Sequence, residues 1–200
     1  TEKLGELLNI PSPYRIECFD NSNLFGEDAV SSMAVFINGK PAKREYRKYK
    51  IKSMDGKASD YHTMKEVIYR RYYKVLMDNL EPPGLLLVDG GLQQINAAKE
   101  TLESLNLNIP IAGVVKNAKH NTSHLLTSNL DKVELDRTSN VFHLLTRIQD
   151  EAHRFAVTYH KAVRSKGLFN TALDNIEGIG ERSKEKLLTH YKSVNLIKLA

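Results

Sequence analysis

The sequence has one cysteine, no tryptophan and no long hydrophobic run, and each of these absences excludes a class of protein. The single Cys18 leaves no disulfide framework and no cysteine-based zinc site, which fits a reducing compartment. No apolar run approaches the roughly 18 residues of a membrane-spanning helix, and no signal peptide is recognisable. We therefore expect a cytoplasmic protein that makes no membrane contact.

The size of the chain indicates its domain content, and its charge leaves open whether it binds an acidic partner. Its 200 residues, 41% of them hydrophobic, suit one medium domain or a domain with a small appendage. The formal net charge is +5, and the positive residues cluster, which favours an acidic partner such as nucleic acid. A solvated basic surface would explain the charge equally well. Because the chain begins at Thr1, we expect it to be a fragment of a longer protein.

Two hydrophobic patterns follow one another along the chain. Period-two alternation comes first and predicts antiparallel strands at residues 14–20, 29–37 and 43–51. Later segments predict a helix from residue 60, a strand at 85–88, a helix over 92–105, a strand at 109–115, a hairpin within 116–135 and a helix over 141–163. This order is typical of an α/β fold with a mixed five-stranded sheet flanked by helices. The composition of residues 165–171 indicates a linker, so we predict domains at 1–166 and 167–200.

Two aspartates end predicted strands. Asp20 shares a strand face with Ile16 and Cys18, and Asp89 follows the apolar run Leu85–Val88 and precedes two glycines. If these strands are neighbours, the carboxylates lie side by side and must share a proton or bind a cation. Oxygen ligands at strand ends suit Mg²⁺ or Mn²⁺. The alternative for each residue alone is that it caps a turn.

Two further candidates lie on predicted helices. Asp60 stands at a helix start, where N-capping and a role at the strand-end site are both open. His153 falls at the edge of the apolar stripe of the long helix, beside Gln149 and His160. A side chain at that edge reaches a site at the margin of the sheet. A plain surface histidine is the alternative, and His160 competes for any role of His153.

A glycine-rich turn follows the predicted linker. Gly178 and Gly180 lie between apolar residues and precede a basic amphipathic helix that carries Lys184 and Lys186. Such a turn exposes backbone N–H groups beside a helix N-terminus, which is an anion site. We interpret the segment as a helix-hairpin-helix, which binds the DNA backbone without reading bases. An ordinary turn between two helices is the alternative.

Three stretches of the sequence match one protein family. They are Ile16–Asp20, Leu87–Gly91 and, above all, Arg147–Ala156, which reads RIQDEAHRFA. Through them the chain resembles the C-terminal half of the UvrC family, the incision nucleases of bacterial nucleotide excision repair. The stretch Ile176–Gly180 is similar to the start of the tandem helix-hairpin-helix module of that family. The resemblance covers almost the whole chain.

The resemblance implies an RNase H-like endonuclease domain followed by a small all-α helix-hairpin-helix unit. The catalytic aspartates of the family correspond to Asp20 and Asp89, its catalytic histidine to His153, and a further acidic residue to Asp60. The implied activity is hydrolysis of a phosphodiester on the 5′ side of a lesion in double-stranded damaged DNA. UvrB would deliver the DNA after UvrA has located the damage. We expect the fragment to be a monomer.

In the mechanism that we expect, Asp20, Asp89 and His153 hold Mg²⁺ or Mn²⁺ at the scissile phosphate. His153 would instead orient or deprotonate the attacking water if it is not a ligand. Phosphate contacts are predicted for a set of basic and glycine residues: Arg44, Arg47, Lys48, Arg154, Gly178, Gly180, Lys184 and Lys186. Loss of these cations should weaken binding to all DNA sequences and lower its salt dependence.

One departure from the family and two rival functions remain. The family usually has a lysine and a glycine between its paired glycines and a glutamine, whereas here the run is Gly91-Leu92-Gln93-Gln94. If that lysine contacts DNA, the chain lacks one contact.

The first rival is a DNA-binding module with an inactive nuclease domain. The second is an interaction scaffold of a repair complex, whose binding would survive high salt.

Overall fold

The computed structural model describes residues 1–22, 30–51, 59–117 and 121–169, together with Gly180 and Ser183, and it describes no side chain for Ser22 or residues 159–169. The chain divides into two compact units, residues 1–156 and 157–200. The predicted boundary after residue 166 stays a prediction. Within the described ranges, none of the helices combines the length and apolar character needed to cross a membrane.

The described part of the chain contains four α-helices and eight strands. The helices are α1 (Glu2–Leu8), α2 (Asp60–Met77), α3 (Leu92–Ser104) and α4 (Asn140–Phe169), with a short 3₁₀ helix at Lys43–Glu45. The strands are β1 (Arg15–Ser22), β2 (Val30–Ile37), β3 (Lys40–Pro41), β4 (Arg47–Lys50), β5 (Leu85–Asp89), β6 (Ile111–Lys116), β7 (Thr122–Thr127) and β8 (Lys132–Glu134). The predicted α/β class is confirmed.

The described strands form one mixed sheet of eight, in the order β3-β2-β1-β5-β6-β7-β8, with β4 paired to β2. The predicted count of five strands is wrong for two reasons. Lys40–Pro41 form β3 ahead of the third predicted strand, which itself begins as the 3₁₀ helix and becomes β4 only at Arg47, and the predicted hairpin adds β7 and β8 as full members of the sheet. Strand β1 pairs antiparallel with β2 and parallel with β5, and β5 pairs parallel with β6.

Local signals account for several element ends. Asn38 and Gly39 both have positive φ, 47° and 72°, as in the two-residue hairpin turn that an Asn-Gly pair favours. The Ser139 hydroxyl accepts a hydrogen bond from the Phe142 amide and so caps the start of α4. Residues 1–13 contain α1, and residues 165–169, where the composition indicated a linker, continue the helix α4 up to Phe169.

Side-chain alternation along β1 defines the two faces of the sheet. Glu17 is hydrogen-bonded to Arg71 and Tyr72 of α2, so this face is covered by α2, which packs beside α3. Asp20 points to the opposite face, where α4 lies and where His153 contacts it. The strands between these layers are buried, and the Leu85–Val88 run is fully inaccessible to solvent. The carboxyl end of β1 therefore faces α4.

Gly113 on β6 fixes how closely β6 approaches the turn after Asp89. A Cβ atom built on Gly113 would lie 2.4 Å from the carbonyl oxygen of Gly90 and 2.8 Å from Ile95 Cδ1. Because the first contact is with backbone, we expect Gly113→Ala to lower the free energy of unfolding by about 1–3 kcal/mol. Denaturant unfolding of the purified variant would measure this.

Gly91→Ala is the matched control, because a Cβ on Gly91 meets no heavy atom within 4 Å. An alanine at residue 113 that is tolerated as well as one at residue 91 would show that the two strands can separate without loss of stability.

Candidate active site

The carboxylates of Asp20 and Asp89 lie on neighbouring parallel strands. In the register of β1 and β5, Phe19 is opposite Val88, so the next residue on each strand is an aspartate. The two side chains point to the α4 face at the carboxyl ends of their strands. The condition on which the predicted pair depended, that these strands are neighbours, is met.

Asp20 is buried, with 5% of its surface exposed. Burial raises the pKa of Asp20, the negative charge of Asp89 raises it further, and the charges of His153 and Lys116 oppose this only in part. The Nδ1 atom of His153 lies 3.3 Å from Asp20 Oδ2. The ionised form of Asp20 is therefore disfavoured by the protein and would be stabilised by an added cation.

Both oxygens of Asp89 accept hydrogen bonds. Gln149 Nε2 on α4 donates to Oδ1 at 2.5 Å, and Lys116 Nζ at the end of β6 donates to Oδ2 at 2.7 Å. The side chain of Asp89 is 8% exposed, whereas that of Lys116 is 30% exposed. Asp89 is thus held in one orientation by an amide from the helix and by an ammonium group from the adjacent strand.

The amide of Gln149 is itself oriented by a second set of bonds. The Thr122 hydroxyl on β7 donates to Gln149 Oε1 at 2.7 Å, and Thr146 lies 3.3 Å from Thr122 as a further donor. Gln149 is 2% exposed and also approaches the carbonyl of Val114 at 3.4 Å. Because Thr122 occupies the amide oxygen, the NH₂ group of Gln149 is directed at Asp89.

His153 is the exposed member of the site. Its side chain is 59% accessible although Nδ1 contacts the buried Asp20. This matches its predicted place at the edge of the apolar stripe, in which Ile148 and Ala152 are buried. His160, the competing histidine, is helical, but its side chain lies outside the described residues.

Asp60 is the first residue of α2 and does not cap it. The cap is Ser59, whose hydroxyl accepts a hydrogen bond from the His62 amide, so N-capping by Asp60 is wrong. The start of α2 lies beside the end of β1, because Asn21 Nδ2 donates to the carbonyl oxygen of Asp60 at 3.1 Å. A catalytic role for the Asp60 carboxylate stays a prediction.

Residues 5–157 match the family model of the UvrC RNase H endonuclease domain. The chain belongs to this family. UvrABC system protein C of Streptococcus gordonii is 56% identical over the whole chain, and that of Streptococcus thermophilus is 54% identical. The chain spans 33% and 34% of these two relatives, about a third of their length.

Among solved structures, the crystal structure of human ENDOV aligns with 80% of the chain and 90% of its own length. That alignment has 12% identity and a TM-score of 0.42. Endonuclease V of Ciona intestinalis, crystallised with a 24mer DNA containing an inosine, aligns with 58% of the chain and 56% of its own length. Its identity is 22% and its TM-score is 0.39.

The side chains at this site of the UvrC RNase H domain fit a hard divalent cation. Nucleases of the RNase H-like fold use divalent metal ions in general. Asp20 and Asp89 offer carboxylate oxygens, His153 offers a ring nitrogen, and the raised pKa of Asp20 marks a place where positive charge is favourable. Among the described residues, however, no group of three or more His, Cys, Asp or Glu side chains is arranged as a metal centre.

Two residues of the site were missed by sequence reasoning. Lys116 directly follows the fifth predicted strand, as Asp89 follows the apolar run of the fourth, and this position was the available signal. Gln149 was placed correctly beside His153 but was given no role. Its contact with Asp89 depends on how α4 lies on the sheet, which the helical period does not specify.

The predicted phosphate-binding residues divide between the two faces of the sheet. Lys48 lies opposite Ser32 and faces α4, where its Nζ is 4.4 Å from the Phe155 ring centroid. Arg47, the preceding residue, faces the other side and lines a cavity of about 550 Å³ with Arg15 and Arg71. Lys48 is therefore on the face that carries the aspartates, whereas Arg47 is not.

The remaining predicted DNA contacts are exposed or lie outside the described residues. Arg44 is exposed on the 3₁₀ helix, and Arg154 is exposed but makes two 2.8 Å bonds to Glu151. Gly178, Lys184 and Lys186 lie outside the described residues. Gly180 is exposed, and its carbonyl accepts a bond from the Ser183 amide at 3.0 Å. The helix-hairpin-helix stays a prediction.

Because the folded protein disfavours ionised Asp20, we expect Asp20→Asn to raise stability at pH 7.5 in EDTA, by about 1 kcal/mol. The pKa of Asp20 is raised, so the wild type loses stability as pH rises through that pKa. The gain should therefore be present at neutral pH and vanish in acid, below the usual pKa of an aspartate. Melting temperatures of Asp20→Asn and wild type, measured at pH 7.5 and at an acidic pH below that pKa, would show the difference.

Asp150→Asn, on an exposed residue of α4, is the control and should change little. If Asp20→Asn melts no higher than the control at pH 7.5, burial and the charge of Asp89 do not destabilise ionised Asp20.

Proposed function

We propose that this chain is the catalytic part of a metal-dependent DNA endonuclease that makes the 5′ incision in the damaged strand during nucleotide excision repair. One observation carries the proposal. In a chain of the UvrC RNase H endonuclease family, Asp20 and Asp89 lie side by side on parallel strand ends, with His153 in contact with Asp20. A carboxylate pair of this kind is suited to phosphoryl chemistry.

Asp20, Asp89 and His153 are the residues that would hold Mg²⁺ or Mn²⁺. When bound, such an ion neutralises charge on the phosphate and lowers the pKa of an attacking water. Gln149 keeps the Asp89 carboxylate in a fixed orientation, while Lys116 balances its charge. This preorganisation spares the carboxylate a rearrangement when DNA arrives.

One tautomer of His153 leaves a ring nitrogen available for chemistry. When Nδ1 carries the proton, it donates a hydrogen bond to the ionised Asp20 carboxylate, and Nε2 then has a free lone pair. The exposed His153 ring can then orient a water molecule or accept a proton from it at Nε2. Ligation of the ion by the same ring is the alternative role.

The substrate in this proposal is double-stranded damaged DNA, delivered by UvrB after UvrA has found the lesion. Lys48 lies on the aspartate face of the sheet, where its ammonium group is placed to meet a phosphate. Arg154 would have to share its guanidinium between Glu151 and DNA. DNA binding by the glycine-rich segment near Gly178 is part of the proposal as well.

The test is an incision assay on lesion-containing DNA preloaded with UvrA and UvrB, using a protein that carries this chain within the full length of its relatives. The damaged strand is labelled so that the 5′ and 3′ cuts give different fragments, and reactions contain Mn²⁺ or EDTA. We expect Asp89→Ala and His153→Ala to lose the 5′ cut alone, with DNA binding unchanged. Asp150→Ala is the control on an exposed carboxylate of α4.

Normal 5′ cutting by Asp89→Ala and His153→Ala would show that the site is assigned wrongly. A wild-type protein that binds DNA but gives no Mn²⁺-dependent 5′ cut would instead favour a DNA-binding or scaffold module without its own catalysis.

A further inference from the structure

Lys116 shares a carboxylate with the proposed cation site. Its Nζ lies 2.7 Å from Asp89 Oδ2, while Gln149 takes Oδ1, so both oxygens already have donors. The positive charge of Lys116 also reaches Asp20, where it opposes the effects of burial and of Asp89 on the pKa. One lysine therefore partly neutralises both carboxylates.

A backbone irregularity in β7 turns Thr122 toward the face of the sheet that carries Asp89, where regular alternation from Val114 already places Lys116. Strands β6 and β7 pair in regular register up to Val115 opposite His124, and Lys116 is then opposite Thr122, so that Ser123 is passed over. Such a bulge bends a strand and re-aims the side chains beside it. Here it brings Lys116 and Thr122 opposite one another, and both act on Asp89: Lys116 directly, Thr122 through Gln149.

Two cations that share one carboxylate repel each other. A divalent ion bound to Asp89 would meet the ammonium group of Lys116 at short range, in a site where Asp89 is 8% exposed and screening by water is weak. An anionic phosphate reverses this balance, because it attracts both cations. The Lys116 side chain is 30% exposed and flexible, so its ammonium group is free to turn toward a phosphate.

We infer that Lys116 couples metal binding to DNA binding: it weakens metal binding to the free protein and strengthens it once a phosphate is seated. The inference rests on the proposed function, since it takes Asp89 as a metal ligand. By linkage, DNA must then raise metal affinity by the same factor as metal raises DNA affinity. A nuclease built in this way is loaded with metal mainly when DNA is present.

The experiment measures Mn²⁺ binding, not activity. Free Mn²⁺ is counted by electron paramagnetic resonance in titrations of the 200-residue chain, with and without a short phosphorothioate DNA duplex that resists cleavage. We expect Lys116→Met to bind Mn²⁺ about tenfold more tightly than wild type without DNA. We also expect DNA to raise the Mn²⁺ affinity of wild type and of Lys116→Arg, and to raise that of Lys116→Met much less.

Three further variants make the result decisive. Lys65→Met removes an exposed lysine paired with Glu100 and should behave as wild type. Lys116→Gln replaces Lys116→Met if the methionine variant melts abnormally in EDTA. Asp89→Asn tests the proposed function itself, because it should abolish tight Mn²⁺ binding.

The two hypotheses fail in different ways. If Asp89→Asn binds Mn²⁺ as tightly as wild type, the metal site of the proposed function is wrong. If Asp89→Asn loses Mn²⁺ while Lys116→Met matches wild type with and without DNA, the metal site stands and the coupling by Lys116 is wrong. Weaker Mn²⁺ binding by Lys116→Met without DNA would also overturn the coupling.

Discussion

Incision by a Gln149→Met variant is expected to be roughly ten- to a hundredfold slower than wild type, with DNA binding unchanged. Methionine matches glutamine in length and removes the NH₂ group that donates to Asp89 Oδ1. Because Gln149 is 2% exposed, no bulk water is available to replace that donor. Asp89 would then be held by Lys116 alone and would lose the fixed orientation that the reaction requires.

Single-turnover rates and DNA dissociation constants, measured separately, distinguish positioning from folding. A purely structural role would lower the melting temperature and leave the rate per folded molecule unchanged, whereas a positioning role lowers that rate. Thr122→Val should show a smaller loss, because it frees the amide of Gln149 to rotate without removing it. Gln93→Met makes the same substitution at an exposed position on α3 and is the matched control.

If Gln149→Met incises at the wild-type rate, Asp89 needs no donor from α4. A matching loss in both Gln149→Met and Gln93→Met would mean that the assay reports a general effect of methionine and not the contact with Asp89.

The strands that carry the aspartates were predictable because their hydrophobic pattern is local. The apolar run Leu85–Val88 and the alternation before Asp20 appear within a few residues of sequence, and both strands end where predicted to within two residues. That β1 and β5 are neighbours was not predictable in the same way. Their pairing joins residues about 70 positions apart in the chain, and no local pattern specifies such a partner.

The prediction failed where side chains give a weak hydrophobic signal. Residues 43–51 are rich in lysine and arginine, so their pattern did not show that Lys43–Glu45 form a 3₁₀ turn before β4 begins at Arg47. The N-cap of α2 was predicted one residue too late, at Asp60. Ser59, which precedes it, is an equally good N-cap residue and is the one that caps the helix. A polar segment offers several equivalent choices, and tertiary contacts decide among them.

Lys116 and Gln149 show a third limit. Each lies in a recognisable position, at a strand end or at a helix edge. Its hydrogen bond to Asp89, however, forms only where β5, β6 and α4 converge. The fold class and the individual strands can thus be predicted from patterns along the chain, whereas the contacts that orient a candidate site depend on pairs of side chains that meet across elements.

On the opposite face of the sheet, Glu17→Gln is expected to lower the free energy of unfolding by about 3–5 kcal/mol and the melting temperature by roughly 10 °C. Glu17 is completely buried and receives hydrogen bonds from Arg71, Arg15 and Tyr72. Removing its charge leaves the buried guanidinium of Arg71 without a counter-charge. It also places an NH₂ group against other donors.

The pH dependence of this loss follows from the pKa of Glu17. Burial alone would raise the pKa, but hydrogen bonds and charge from Arg71, followed by Arg15, hold it below its usual value. The wild type therefore has this stabilisation above the usual pKa of a glutamate and loses it as pH falls through the lowered pKa. The difference between Glu17→Gln and wild type should be largest at neutral pH and should shrink in strong acid.

Glu45→Gln provides a control on the same network, because Glu45 also pairs with Arg15 but its side chain is 40% exposed. An exposed pair of this kind is worth about 0–1 kcal/mol, so Glu45→Gln should be nearly neutral.

The double variant Glu17→Met/Arg71→Met should recover much of the stability lost in Glu17→Gln, since it removes both buried charges together. Equal losses in Glu17→Gln and Glu45→Gln would contradict the argument, because burial would then not decide the strength of the pair. Folded Glu17→Gln should still bind Mn²⁺ normally, since its side chain lies on the α2 face and Asp20 on the face of α4.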